Sequence, residues 1–349
     1  MKAAVFYDVE DIRLEDVPEP TIGDEDVLVE VTACGICGSD LEYYMGRSPV
    51  GTADGKGPLI LGHEFAGRVV KLGKDAEGLK EGDRVAVNPI QSSASGDFSR
   101  SGNPHFDLSV VLGVTTNGAF AKYVRTKAEH AHKLPDGLSD EQGAFVEMLA
   151  ASLNAIEKAE IRLGDLVVIY GPGPVGLSMV QLAKASGGRV VIVGTRDYRL
   201  ELALGMGADH AFNVSDTASK YYSGDVAASI KAVNAGDLAD KAIVATASDD
   251  ATQGALDVTG NGSTIVYMGL AGPNDIVKLP MLSSLAMDKT IRFSWLYPNQ
   301  WPNTIRLLRE GIVDTSKIIT HSIPLSEIDA GIRQVVARDD GVIKIIVKP

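Results

Sequence analysis

Hydrophobic and polar positions follow two rhythms along this chain. Up to about residue 150, short apolar runs such as Val27-Leu-Val-Glu-Val31, Phe65-Ala-Gly-Arg-Val-Val70 and Asp83-Arg-Val-Ala-Val87 are separated by Gly, Pro and Asp turns. This spacing predicts a closed, barrel-like β domain. From about residue 152 the rhythm changes. Apolar strands are predicted over 166–170, 189–193, 210–213, 241–245, 263–268 and 290–295, with helices such as 177–184 and 198–205 between them. Alternating strands and helices of this kind build a parallel sheet from βαβ units. After about residue 297, helices over 305–310 and 328–338 and a last strand over 342–347 are expected to rejoin the first domain. The Ser/Gly/Asn-rich stretch 90–108 reads as a mobile loop, and no internal repeat is visible.

Composition fits two domains. The chain has 349 residues, and single cores stop growing near about 250–300. A hydrophobic content of 45% is enough for both cores. No apolar run reaches the roughly 18 residues that cross a membrane. A net charge of −13 argues against a nucleic-acid partner. Met1-Lys-Ala-Ala-Val-Phe6 enters a strand directly, without a secretory segment. The chain has 2 cysteines and no pairing framework, which agrees with a reducing cytoplasm.

The candidate chemistry is concentrated in two places. The first is Cys34-Gly-Ile-Cys-Gly-Ser-Asp40 followed by Gly62-His-Glu64, with a further carboxylate at Glu147. A thiolate, an imidazole and a carboxylate are donors that zinc takes, and three protein ligands with one open position describe a catalytic site. Alone, Cys-x-x-Cys also reads as a redox pair or as two small buried apolar side chains. The second place is Leu166-Val-Val-Ile-Tyr-Gly-Pro-Gly-Pro-Val-Gly176, where G-x-G-x-x-G lies between an apolar strand and an apolar helix. That context is the dinucleotide fingerprint. Gly171 permits the tight turn, Gly173 lets the backbone approach a pyrophosphate, and Gly176 lets the helix pack on the sheet. At the end of the second strand of this fold, Gly194 stands where an NAD enzyme carries an acid, followed by Thr195 and Arg196. A hydroxyl and a planar cation suit a 2′-phosphate, so NADP is expected. A slip in alignment would make Asp197 the ribose acid and NAD the cofactor.

Together these motifs resemble the zinc-dependent medium-chain alcohol dehydrogenases, and most closely the polyol (sorbitol-type), threonine or butanediol branch. Gly82-Asp-Arg-Val85, Gly118-Ala-Phe-Ala-Lys-Tyr123 and Tyr297 to Pro302 extend the resemblance over essentially the whole chain. It implies an α/β protein with a GroES-like β-barrel catalytic domain (1–151), a doubly wound Rossmann domain (152–294) and a return to the catalytic domain (295–349). It also implies one zinc held by Cys37 and His63, with Glu64 or Glu147 as third ligand and Cys34 uninvolved. Asp40 would orient the site, and Ser39 would take the alcohol proton. Pro174, Val175, Ala245, Met268, Gly269 and Leu270 would join the cofactor site, and Tyr44 and Tyr297 the substrate side. Tyr43, Phe106 and Trp295 are further candidates for that wall. The implied assembly is a homodimer or a homotetramer, paired through the strand at 290–295. The implied reaction moves hydride between a secondary alcohol, polyol or sugar-type substrate and NADP or NAD. A metal-free quinone or enone reductase and a non-catalytic NADP-binding protein are the alternatives on this scaffold. Three departures stand out. The lobe after Asn88-Pro89 has no cysteine for a structural zinc. Glu42 replaces the relay histidine of many alcohol dehydrogenases. Leu296 replaces an arginine common in the polyol branch, which speaks against a highly hydroxylated substrate.

Overall fold

A computed structural model describes residues 1–47, 52, 55–91, 110–270, 276–296 and 300–349. Phe106, Tyr297 and most of the 90–108 stretch therefore lie outside the described residues. The chain forms two compact units: residues 1–148 with 298–311 and 315–349, and residues 149–297 with 312–314.

The first unit holds β1 (Lys2–Asp8), β2 (Asp11–Asp16), β3 (Asp26–Gly35), α1 (Gly38–Tyr44), β4 (Leu59–Ile60), β5 (Glu64–Leu72), β6 (Arg84–Val87), β7 (Tyr123–Lys127) and β8 (Ala131–Lys133). Strands β2-β1-β4 make a small sheet. The larger sheet has β3 and β5 at its centre, with eight register pairs running from Val27↔Leu72 to Gly35↔Glu64. Val27, Val29 and Val31 are buried on one face of β3, and Leu28 between them is buried as well. Helix α2 (Asp140–Ala159) follows, and the chain passes from the first unit to the second within it. No helix was expected here. Its start is nevertheless written in the sequence as Ser139-Asp-Glu-Gln142. The Ser139 amide donates to Gln142 Oε1 at 2.9 Å and the Gln142 amide to Ser139 Oγ at 3.2 Å, which is a reciprocal capping box.

The second unit alternates β9 (Leu166–Tyr170), α3 (Pro174–Ala185), β10 (Arg189–Gly194), α4 (Asp197–Gly205), β11 (His210–Asn213), α5 (Val226–Val233), β12 (Ala239–Val244), α6 (Asp249–Asp257), β13 (Thr259–Tyr267), α7 (Met281–Ala286) and β14 (Thr290–Phe293). All five strand pairings are parallel, in the order β11-β10-β9-β12-β13-β14. This is the doubly wound arrangement, whose order reverses between β9 and β12. Every residue of β9 is buried, as expected of a central strand covered on both faces. Among the described residues, strand β14 is the last of the sheet, and it stops two residues short of the expected 295. The chain then returns to the first unit with α8 (Trp301–Arg309), β15 (Ile319–Pro324), α9 (Ile328–Ala337) and β16 (Lys344–Lys348). Strand β16 runs parallel to β15 and antiparallel to β3. No helix among the described residues is long and apolar enough to cross a membrane.

Candidate metal centre and nucleotide turn

Three segments of the first unit meet at the metal-ligating candidates. Strand β3 ends at Gly35, and Cys37 precedes α1. The Cys37 amide donates to Asp40 Oδ2 at 2.9 Å, fixing the first turn of that helix. Gly62, at φ +90°, turns the chain into β5 at a point where an added Cβ would lie 2.9 Å from Cys34 Sγ. His63 and Glu64 follow directly. Donor atoms of Cys37, His63 and Glu64 all lie within 4.8 Å of one another. Glu147, on α2, is buried too and raises the pKa of His63 through its charge, but lies outside that tight group.

Asp40 and Glu64 are fully buried, and His63 is 7% exposed. Burial alone would push the His63 pKa down, but the negative charges of Cys37 and Asp40, with Glu147 behind them, hold it well above its ordinary value. Burial raises the Asp40 carboxyl, and nearby His63 opposes that rise. Asp40 Oδ1 lies 3.6 Å from His63 Nδ1, and Ser39 Oγ lies 3.4 Å from His63 Nε2. Asp40 Oδ1, His63 Nδ1 and Glu64 Oε1 are buried with no hydrogen-bond partner. A buried, anionic set of S, N and O donors with orphaned atoms fits a divalent cation, and zinc in particular.

The two cysteines are not equivalent. Cys34 is fully buried within the core, and burial, followed by the charges of Asp40 and Glu64, pushes its thiol pKa well up. Cys37 is half-buried among the other donors. A redox pair needs a reactive thiolate, which the surroundings of Cys34 oppose.

One residue of this group was not foreseen. Lys344, on β16, is 3% exposed, forms an ion pair with Glu64 Oε2 and donates to the Ile36 carbonyl at 2.9 Å. A side chain on Gly35 would collide with both partners of that pair. Burial lowers the lysine pKa, but Glu64 and Cys37 outweigh it and raise it. The available signal was a lone cation inside Val342-Ile-Lys-Ile-Ile-Val347.

Tyr44, expected on the substrate side, sits in the first unit's core. It is 2% exposed, and its hydroxyl donates to Asp329 Oδ1 at 2.6 Å. Tyr43, one position earlier on α1, is only partly buried. Glu42, at the relay position, pairs with Arg47 at 3.1 Å. Trp295 is 45% exposed in the second unit.

The glycine-rich turn lies wholly in the second unit. Gly171 has φ +98°, the left-handed backbone that the tight turn demands. A Cβ on Gly176 would lie 2.0 Å from the Gly171 carbonyl oxygen, whereas one on Gly173 would meet nothing within 4 Å. The turn is thus closed behind and open in front, where a pyrophosphate needs access. Helix α3 begins at Pro174, earlier than the expected 177, because proline at the first helical position lacks only an amide that has no helical partner anyway. With Val175 it presents the helix N-terminus beside Gly173. Gly194 ends β10, Thr195 is exposed, and Arg196 caps α4 half-exposed. Asp197 Oδ1 accepts hydrogen bonds from Asn213 at 2.7 Å and Ser219 at 2.6 Å, which hold its pKa down. Ala245, Met268, Gly269 and Leu270 follow the ends of β12 and β13; the Met268 and Gly269 amides both donate to Val244, and Leu270 is 51% exposed.

Comparison with known proteins agrees with this architecture. The alcohol dehydrogenase GroES-like domain family matches residues 23–136, and the zinc-binding dehydrogenase family matches residues 174–310. The whole chain is 32% identical to sorbitol dehydrogenase of Bacillus subtilis (strain 168), covering 97% of that protein. A zinc-binding dehydrogenase of Sinorhizobium meliloti 1021, solved with NADP, superposes with a TM-score of 0.91 at 28% identity, over 100% of this chain and 99% of that one. An alcohol dehydrogenase of Escherichia coli CFT073, solved with NADH, gives 0.89 at 27% identity with the same coverage.

Proposed function

Because the chain belongs to the zinc-dependent medium-chain alcohol dehydrogenases, in their polyol branch, we propose that Cys37, His63 and a carboxylate from Glu64 or Glu147 hold one catalytic zinc, and that the turn at Gly171–Gly176 binds NADP. The protein is an NAD(P)-dependent alcohol or polyol dehydrogenase. The observation that carries the metal assignment is the convergence of Cys37, His63 and Glu64 donor atoms within 4.8 Å, in a buried group with orphaned polar atoms.

A bound zinc would supply Lewis-acid polarisation of an alcohol oxygen, and a bound nicotinamide would supply the hydride acceptor. The chain's own residues then have separable tasks. Asp40 faces His63 Nδ1 and orients the imidazole. Ser39, whose Oγ lies 3.4 Å from His63 Nε2, would take the hydroxyl proton, since Glu42 replaces the relay histidine and is paired with Arg47. Lys344 keeps one oxygen of Glu64 occupied, leaving Oε1 toward the donor group. For the cofactor, Thr195 and Arg196, exposed and half-exposed after β10, would be the residues to hold a 2′-phosphate. Gly194 offers no carboxylate, and Asp197 is already satisfied by Asn213 and Ser219. Leu296 favours a secondary alcohol or short polyol over a heavily hydroxylated one. A metal-free reductase would not need the buried donor group, and a non-catalytic binder would show no turnover.

Among the described residues the sheet of the second unit ends at β14, which carries exposed Phe293 (73%), and the preceding α7 exposes Leu282 (82%) and Leu285 (78%). An apolar edge of this kind is a liability unless paired, which supports a homodimer, or a tetramer built from such dimers. The two free cysteines support a cytoplasmic enzyme. Metal analysis coupled to nicotinamide absorbance assays over a panel of alcohols, with both cofactors, tests the whole reading. One zinc per chain and NADP-linked oxidation are expected. Metal-free protein of full activity, or two zincs per chain, would overturn it, and a monodisperse monomer in light scattering would refute the dimer.

A further inference from the structure

We propose that Pro172 is a specificity-determining residue for the cofactor: it seals the end of β10, so that the position that would carry an NAD-reading acid accepts only glycine. This rests on the assignment of the Gly171–Gly176 turn as the cofactor site. The geometry is direct. A Cβ built on Gly194 would lie 2.5 Å from Pro172 Cγ and 2.7 Å from Pro172 Cδ. Carbon atoms in contact settle near about 3.5–4.0 Å, so either distance lies deep in the repulsive range. The third neighbour, Leu200 Cδ2 at 3.3 Å, is the tip of a flexible side chain and yields easily. Pro172 does not. Its Cδ is bonded to its own backbone nitrogen, its φ is fixed by the ring, and the residue is buried. It also follows a constrained glycine, while Gly173 after it is open. Gly171 has φ +98° and donates to the Val193 carbonyl at 2.9 Å, and the carbon that any side chain on Gly173 would add belongs to the open front of the turn.

Any side chain at position 194 must therefore displace the turn that receives the pyrophosphate. The consequence falls on both cofactors, because the pyrophosphate is common to them. Loss of the acid and the shape of the turn are thus one coupled feature. A single Gly194→Asp exchange does not convert the site to NAD, whereas removal of the proline ring makes room for the carboxylate beside the ribose.

The test is a double-mutant cycle read as dissociation constants of NADPH and NADH by fluorescence titration, with the melting temperature of each variant. Gly194→Ala adds the offending carbon without charge. Alone it is expected to weaken both cofactors by about tenfold or more; in the Pro172→Ala background its effect should fall to about twofold or less. Gly194→Asp alone should weaken both, and with Pro172→Ala it should favour NADH over NADPH. If Gly194→Ala fails to fold, recovery of folded protein on adding Pro172→Ala supports the clash, and no recovery overturns it. Gly194→Ala without effect in either background, or Gly194→Asp alone giving tight NADH binding, would also overturn it. A wild type that binds NADH more tightly than NADPH would refute the NADP assignment instead. The coupling between 172 and 194, read on both cofactors, is independent of that result.

Discussion

Replacing Lys344 by Met tests the electrostatic account of the metal centre most directly. The side chains of Lys344 and Glu64 are 3% and 1% exposed, so the ion pair between them is shielded from solvent. Methionine keeps most of the lysine's volume and removes its charge. Glu64 then remains a buried carboxylate whose second oxygen already lacks a partner, and the Ile36 carbonyl loses its donor. Breaking a buried pair from one side costs about 3–5 kcal/mol, mostly for the uncompensated charge. Urea unfolding of chelator-stripped protein should therefore show a loss of that order in the first unit. In the Glu64→Gln background the same replacement should cost much less, giving a coupling of at least about 2 kcal/mol. Restoring zinc should shrink the loss in Lys344→Met, because the cation takes the place of the ammonium as partner to Glu64. A loss below about 1 kcal/mol, or an equal loss in the Glu64→Gln background, would refute the view that Lys344 neutralises this site.

Three further outcomes are expected. Cys37→Ser should lose bound zinc and most activity, while Cys34→Ser, which alters only a buried thiol, should keep its metal; equal zinc loss in plasma emission analysis would reverse the assignment. Arg196→Ala should weaken NADP far more than NAD, by about ten- to a hundredfold for one charge-assisted contact, and equal changes in KM for both would point to another reader of the ribose. His132 stacks on Trp301 with ring centroids 5.2 Å apart, and burial, helped by nearby His130, holds its pKa down to about 4. The unfolded chain takes up that proton near pH 6.5, so the contribution is full above that pH and is lost as pH falls toward 4, by about 2–3 kcal/mol. His132→Phe should flatten stability in that window, and an unchanged slope in urea titrations would exclude this histidine as the cause.

Much of this protein is legible in its sequence because the signals are local. Period-2 runs and an all-apolar Leu166–Tyr170 give the strands, and a strand running into G-x-G-x-x-G and a helix gives the nucleotide turn. Cys37 and His63 declare their chemistry by residue type. The capping box at Ser139–Gln142 was equally local, and α2 could have been read from it. What only the tertiary structure decided depends on contacts between distant segments. Lys344 meets Glu64 because β16 and β5 both pair with β3, on either side of Gly35, and no local pattern encodes that register. Tyr44 lies in the core because Asp329, 285 residues away, accepts its hydroxyl. Gly194 is closed to any side chain because the Pro172 ring occupies the space beside it. The sequence carries the kinds of group available and the elements that bear them. Which groups are neutralised, satisfied or sterically confined is settled where separate elements pack, since desolvation, charge pairing and close contact exist only once those elements are brought together.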